Sequence, residues 1–302
     1  MKNILTYLLI SASAFVFYSC DKPAPTELFD DSENEFEIEL LNKDFDNHYF
    51  TSGSDTSGIT QDITRLTNLI SVSGIKITSA NRTTEFSLAQ AIFFKRSEPI
   101  KYQNGRLLAY KTATPGTIKF NSVEARIVPY RIKYRDNGAP KDTLVGNKYL
   151  LYNIFGGFPD PFYFNYNSNV SFEFDPFLPG EDISFNIPTP HQINGFVDLK
   201  GSKLSKNLEA ALNWNATGPG KVSVVIGLMR PGQQQSIPVY KFKAPDNGKL
   251  NIPGRYLNQL PLDRFEKIVF TFVRSFEGYH GNVNNDLLVS SQSIHSIVID
   301  IP

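Results

Sequence analysis

The feature that most limits what this chain can fold into is period-two alternation of apolar residues, broken at short intervals by turn-forming sequence. Leu208, Ala210, Leu212 and Trp214 share one parity. So do Val222, Val224, Ile226 and Leu228, which follow Gly218-Pro219-Gly220. Successive side chains of a strand point to opposite faces, so the pattern sends one face of each segment into a core and the other towards water. Tyr240 and Phe242 come next, then Asp246-Asn247-Gly248, then Leu250 and Ile252. A short helical turn is expected around Tyr256–Leu260, with strands at Ile268–Phe272 and Ile294–Ile301. Seven short strands separated by turn residues suit an antiparallel β-sandwich.

The preceding half carries the same signal less regularly. Phe36, Ile38 and Leu40 interleave with Glu35, Glu37 and Glu39, and Val128, Tyr130, Ile132 and Tyr134 interleave with Arg131, Lys133 and Arg135. Asp136-Asn137-Gly138 supplies a turn, and Tyr149–Phe155 a return strand. Further strands are expected at Ile70–Thr78 (bulged at Gly74), Leu107–Lys111, Thr117–Phe120 and Val170–Phe174. Two segments read either way. Ile59, Ile63, Leu66 and Ile70 have helical spacing, and Ser87-x-x-Gln90 resembles a capping box before Ile92–Phe94. Pro188-Thr189-Pro190 cannot continue a ladder, which places a boundary there. The chain is therefore expected to be mainly β. Two antiparallel β-sandwich domains, 35–190 and 191–302, carry one or two short helices between them. No repeat of fixed period points to a solenoid or propeller.

From Asn194 to Pro302 the pattern resembles the immunoglobulin-like sandwich domains found at the C-terminus of many bacterial surface lipoproteins. The likeness rests on Leu208–Trp214 followed by Lys221–Leu228, on Asp246-Asn247-Gly248 and on Leu257–Pro261. No Cys pair flanks Trp214 as in antibody domains, and what the resemblance implies is fold rather than activity.

The N-terminus carries a separate message. Lys2 precedes the apolar run Ile4–Tyr18, which ends in Ser19-Cys20, and Cys20 is the only cysteine of the 302 residues. A basic start, an h-region too short to span a bilayer and a small residue at the cleavage point describe a secretory signal peptide over 1–19. A cysteine directly after that point resembles the lipobox of bacterial lipoproteins. The resemblance implies diacylglyceryl attachment to the Cys20 thiol, cleavage before it and acylation of the new amine, with palmitate-type chains. Two or three chains anchor stably, whereas one does not. The expected location is the outer membrane, with its periplasmic or surface face left open. Residues 20–34, rich in proline and acid, read as a flexible tether.

With no second cysteine an intramolecular disulfide is excluded, so folding rests on core burial. Removing the signal leaves 29 basic residues against 30 acidic ones. That balance gives no electrostatic case for nucleic acid. Membrane contact is expected through the lipid alone.

The chain carries few motifs of catalytic chemistry. No G-x-S-x-G elbow is present, and lipidation would consume the only thiol. His48, His191, His280 and His295 are far apart, none with a second histidine at ligand spacing, so no metal is expected. His280 reads as a loop residue and His295 as a strand residue in a structural role. Asp160, Glu173 and Asp175 could pair for glycoside hydrolysis, but isolated carboxylates of this kind more often sit solvated at strand edges. Asp44-Phe45-Asp46-Asn47 and Asn282–Asp286 could offer oxygens to Ca²⁺, and both also read as turns. Parity sends Trp214 to the core, while Tyr163, Tyr256 and Tyr279 are freer to meet a sugar. Arg131, Lys133 and Arg135 form a solvated row that guards a strand edge. Asp142-Thr143-Leu144 resembles a bacterial O-glycosylation sequon, which makes Thr143 a candidate acceptor.

These readings favour a membrane-anchored envelope lipoprotein that binds a protein or glycan without catalysis and without a cofactor. The alternatives are a fimbrillin-like pilus subunit, assembled by donated strands, and a carbohydrate-active hydrolase or glycan-binding protein.

Overall fold

The computed structural model describes residues 36–41, 68–80, 82–136, 139–154, 161–178, 180, 182–233, 235–280 and 287–302. Cys20, the tether, Ile59–Leu66 and both candidate Ca²⁺ segments lie outside them. Chain order gives β1 (Glu37–Leu40), β2 (Asn68–Ser79), β3 (Arg82–Lys101), β4 (Leu107–Ala113), β5 (Gly116–Phe120) and β6 (Val123–Glu124). Then come β7 (Arg126–Asp136), β8 (Ala139–Ile154), β9 (Asn169–Pro176), β10 (Ile183–Pro188), β11 (Gly195–Lys200) and β12 (Glu209–Trp214). The last are β13 (Lys221–Met229), β14 (Ile237–Pro245), β15 (Lys249–Ile252), the short helix α1 (Gly254–Asn258), β16 (Lys267–His280) and β17 (Leu287–Asp300).

Ten strands form one large sheet in the order β1-β14-β13-β16-β17-β2-β3-β8-β7, with β4 joined to β3. Two smaller sheets, β10-β9-β5-β6 and β11-β12-β15, complete the set. The fold is mainly β and of sandwich type, as the alternation requires. Among the described residues every pairing is antiparallel except β17 with β2, which run parallel from Leu287↔Asn68 to Val298↔Ser79. Two strands so distant in sequence are free of the hairpin constraint that forces neighbours to be antiparallel.

Two cores lie on the same face of the large sheet. Ile70, Val72, Ala89 and Tyr149 pack against Ile118, Phe120, Phe162 and Phe172 beneath the four-stranded sheet. Val224, Ile226, Phe270 and Phe272 pack against Ala210, Leu212 and Trp214 of β12, and against Leu250 and Leu257. On β17, Val289 joins the first core while Ile297 and Ile299, of the same parity, join the second. The cores part near 188–195, yet the large sheet passes through both, and Phe36–Pro302 forms one compact unit.

The ambiguous Ser87–Gln90 stretch is part of β3, whose Ala89 and Ala91 are fully buried between β2 and β8. Gly74 causes no bulge, since its pairing with Ser87 and Ser293 keeps register. It is small for another reason: a Cβ there would sit 2.6 Å from Phe164 Cδ1. Trp214 is core, as its parity requires. Tyr256 is not free for a ligand, because α1 turns it against Phe242 and Tyr240 and leaves it 4% exposed. His280 is not in a loop but closes β16, opposite Leu287.

Candidate functional site

The segment joining the two cores is fixed by side chains of the large sheet. Asp246 follows β14 and is buried beside Arg274 of β16. Arg274 Nε donates to Asp246 Oδ2 at 2.9 Å and Nη2 to Oδ1 at 3.0 Å. Trp214 Nε1 and Thr217 Oγ1 donate to the same carboxylate, at 2.8 and 2.7 Å. The remaining guanidinium hydrogens reach the carbonyls of His191, Gln192 and Asn215. Burial pushes the Asp246 carboxyl up, but the hydrogen bonds from Arg274, Thr217 and Trp214 and the Arg274 charge outweigh it, and the net shift is down. A buried pair this fully bonded holds the connector, the end of β12 and the turn after β14 to one strand.

Two residues of β17 do the same for the next stretch of connector. Ser293 Oγ accepts the Ile193 N–H at 2.8 Å, and His295 Nδ1 accepts the Gly195 N–H at 2.8 Å. His295 Nε2 lies 3.0 Å from Thr78 Oγ1. Since Nδ1 accepts, the ring is neutral and Nε2–H donates to Thr78. Burial, with the nearby Lys76 charge, lowers its pKa to about 4.

Beyond this junction the same face of the sheet opens. β13 pairs with β16 only as far as Val273, and from Ser275 to His280 every residue of β16 is exposed. β10, the outer strand of the four-stranded sheet, stands beside this arm. Between them lies a cleft of about 220 Å³, walled by Phe185–Pro188 and floored by Phe276–His280 with Val289 and Ser291. The Phe185 ring stacks on His280 at 4.2 Å between centroids, and both line the cleft. Phe276 is 48% and Tyr279 70% exposed. Ser291 is 1% exposed, and its hydroxyl has no hydrogen-bond partner. Gly278 has a backbone outside the left-handed region, and a Cβ on it would meet nothing within 4 Å. The missing side chain leaves room rather than permitting a turn.

Of the residues singled out from sequence, Tyr279 and His280 belong to this cleft. Tyr163 is exposed in the 161–165 stretch. Glu173 and Asp175 sit on the face of β9 opposite the buried Val170 and Phe172, and Asp160 is outside the described residues. Thr143 is half-buried on β8, its hydroxyl 3.4 Å from Tyr134 Oη. Arg131 lies on the edge strand β7 and is paired with Asp142 at 2.9 Å. His191 is exposed in the connector. Among the described residues no group of three or more His, Cys, Asp or Glu could hold a metal. No helix among them is long and apolar enough to cross a membrane.

Sequence reading missed Asp246, Arg274, Ser291 and Gly278. Asp246 read as a turn residue and Arg274 carried no motif. Ser291 and Gly278 come together through the register of β16 on β17, which no local motif in either strand announces. No known family model matches the chain, and comparison with curated proteins gives no match.

Proposed function

We propose that this chain is a lipoprotein of the bacterial outer membrane, anchored through Cys20, whose β-rich body is a non-catalytic binding module. The observation that carries the binding reading is the cleft between β10 and the β16 arm. Its lining is largely aromatic and aliphatic, with a buried hydroxyl left unbonded, and an apolar concavity with a few polar groups is the usual form of a ligand site. The anchor rests on the lipobox-like Ser19-Cys20 junction, and the tether over 20–34 would set the module off the membrane. The immunoglobulin-like likeness of the last third belongs to the same reading, since sandwich domains of that kind commonly display binding surfaces.

Growth with an alkyne-bearing palmitate analogue tests the anchor. Label is expected on the wild-type chain and not on Cys20→Ala, which should leave the membrane fraction. Equal labelling of both would overturn the lipid assignment. Protease shaving of intact cells then distinguishes a surface module, which is cut, from a periplasmic one, which is spared.

A further inference from the structure

Resting on the binding reading, we propose that the cleft is the seat of an extended polypeptide segment, which adds to the free edge of β10 as a strand and lays an apolar side chain over Gly278. Four independent features converge on that occupant.

The first is the edge itself. Among the described residues no strand pairs with the outer side of β10, so its main-chain groups there are open. Proteins guard such edges with charge. Every other outer strand of the three sheets carries it: Glu37 on β1, Lys111 on β4, Arg126 on β7, Glu124 on β6, Asp198 on β11 and Lys249 on β15. β10, Ile183-Ser184-Phe185-Asn186-Ile187-Pro188, has none.

The second is the missing cover. Phe276 shares its parity with Phe270 and Phe272, which are both fully buried, yet it is 48% exposed. The upper layer is one strand short above it, and a strand beside β10 would supply that cover. The third is the row Ser291, Ser293, His295 along β17. Ser293 and His295 each accept a backbone N–H from the connector. Ser291 is the next acceptor in the row, equally buried and unbonded, and it is part of the lining of the cleft. The environment that satisfies its neighbours is main chain. The fourth is Gly278, which leaves a notch in the floor where a side chain can enter. Main-chain pairing for affinity and a pocket for alternate side chains is the physics of strand addition. Among the described residues no lysine or arginine lines the cleft, and its floor side chains are apolar or small, so the segment's inward side chains are apolar.

The test is selection of a phage-displayed random heptapeptide library on purified full-length protein, with a glycan array run in parallel. Selected peptides should alternate apolar and polar residues. Bound peptide should slow hydrogen–deuterium exchange across the amides of residues 183–187, where the added strand would pair. Gly278→Phe should weaken binding by at least ~10-fold and Ser291→Ala by about 3- to 10-fold. Ser291→Ala should leave the melting temperature unchanged or raise it, because it removes an unsatisfied buried hydroxyl. Asn186→Lys, which places a charged guard on an exposed position, should weaken binding as well. Peptides that bind but are indifferent to Gly278→Phe and Ser291→Ala overturn the proposal. Glycan binding blocked by Gly278→Phe, without peptide binding, overturns it while leaving the binding module intact. No ligand of either class at the cleft overturns both.

Discussion

β16 is one strand with two fates. From Ile268 to Val273 it is buried on both faces, with Phe270 and Phe272 fully enclosed by β13, β12 and β15. From Ser275 to His280 it keeps the same partner, β17, and Phe276 continues the parity of Phe270 and Phe272, but it is exposed throughout. Part of the difference is in the strand, whose second half, Ser-Phe-Glu-Gly-Tyr-His, is the more polar. The rest lies in the layer above and in the neighbour alongside, both of which stop near Arg274. Alternation states which face of a strand can be buried, and distant elements decide whether it is.

Arg274 marks the change, so the largest expected effect comes from unmaking its partner. Asp246→Ala leaves a guanidinium at 6% exposure without its counter-charge, which should cost about 3–5 kcal/mol in urea unfolding. A loss below about 1 kcal/mol would mean that water reaches Arg274 and that the covered half ends earlier. The two phenylalanines give the direct comparison. Phe272→Ala should cost about 3–5 kcal/mol as a cavity in a closed core. Phe276→Ala, at a half-exposed ring, should cost less than about 1 kcal/mol. Equal losses would show that the arm is covered in solution.

A third effect separates the junction from both halves. His295 is neutral in the fold, with a pKa of about 4 against an ordinary value of 6.5. Below pH 6.5 the unfolded chain takes up the proton first, so stability is full above that value. It should fall by up to about 3 kcal/mol as pH drops to about 4, and no further from this group below it. Asp246, whose pKa is lowered, adds its own loss only in the more acidic range where that carboxylate is protonated. Urea midpoints of wild type and His295→Asn between about pH 8 and about pH 4 check the assignment. The variant should be weaker at the alkaline end and lose most of the slope, and a slope unchanged by it would place the titration elsewhere.

Much of the fold was legible because alternation and turn residues are local properties. The strands at Val222–Leu228 and Ile268–Phe272 fall where their parity put them, and Trp214 is core for the reason its neighbours gave. What could not be read is what long-range register creates. Nothing near Ser291 announces that it stands two residues before a serine that caps the connector. Gly278 in Gly278-Tyr279-His280 looked like loop sequence, because glycine in a strand has no local signature separating a notch from a turn. Asp246 does sit in the turn that Asp-Asn-Gly predicts, between β14 and β15, but turn sequence does not announce a buried anchor. Its burial follows from Arg274, which lies 28 residues away.

The smallest expected effect is the sharpest on the comparison. Gly74 and Gly278 both lie in extended strands on the same face of the large sheet, one under cover and one in the open. Adding a methyl at Gly74 drives it into Phe164 and the Tyr166 hydroxyl, both 2.6 Å away, and should cost about 1–3 kcal/mol by overpacking. At Gly278 the methyl meets nothing within 4 Å. The strand loses only glycine's excess freedom when unfolded, so Gly278→Ala should fall between no change and a gain of about 0.5–1 kcal/mol. Thermal melts of the two variants read the difference directly. If Gly278→Ala destabilised the protein as much as Gly74→Ala, the arm of β16 would have a cover of its own, and the distinction between its two halves would be lost.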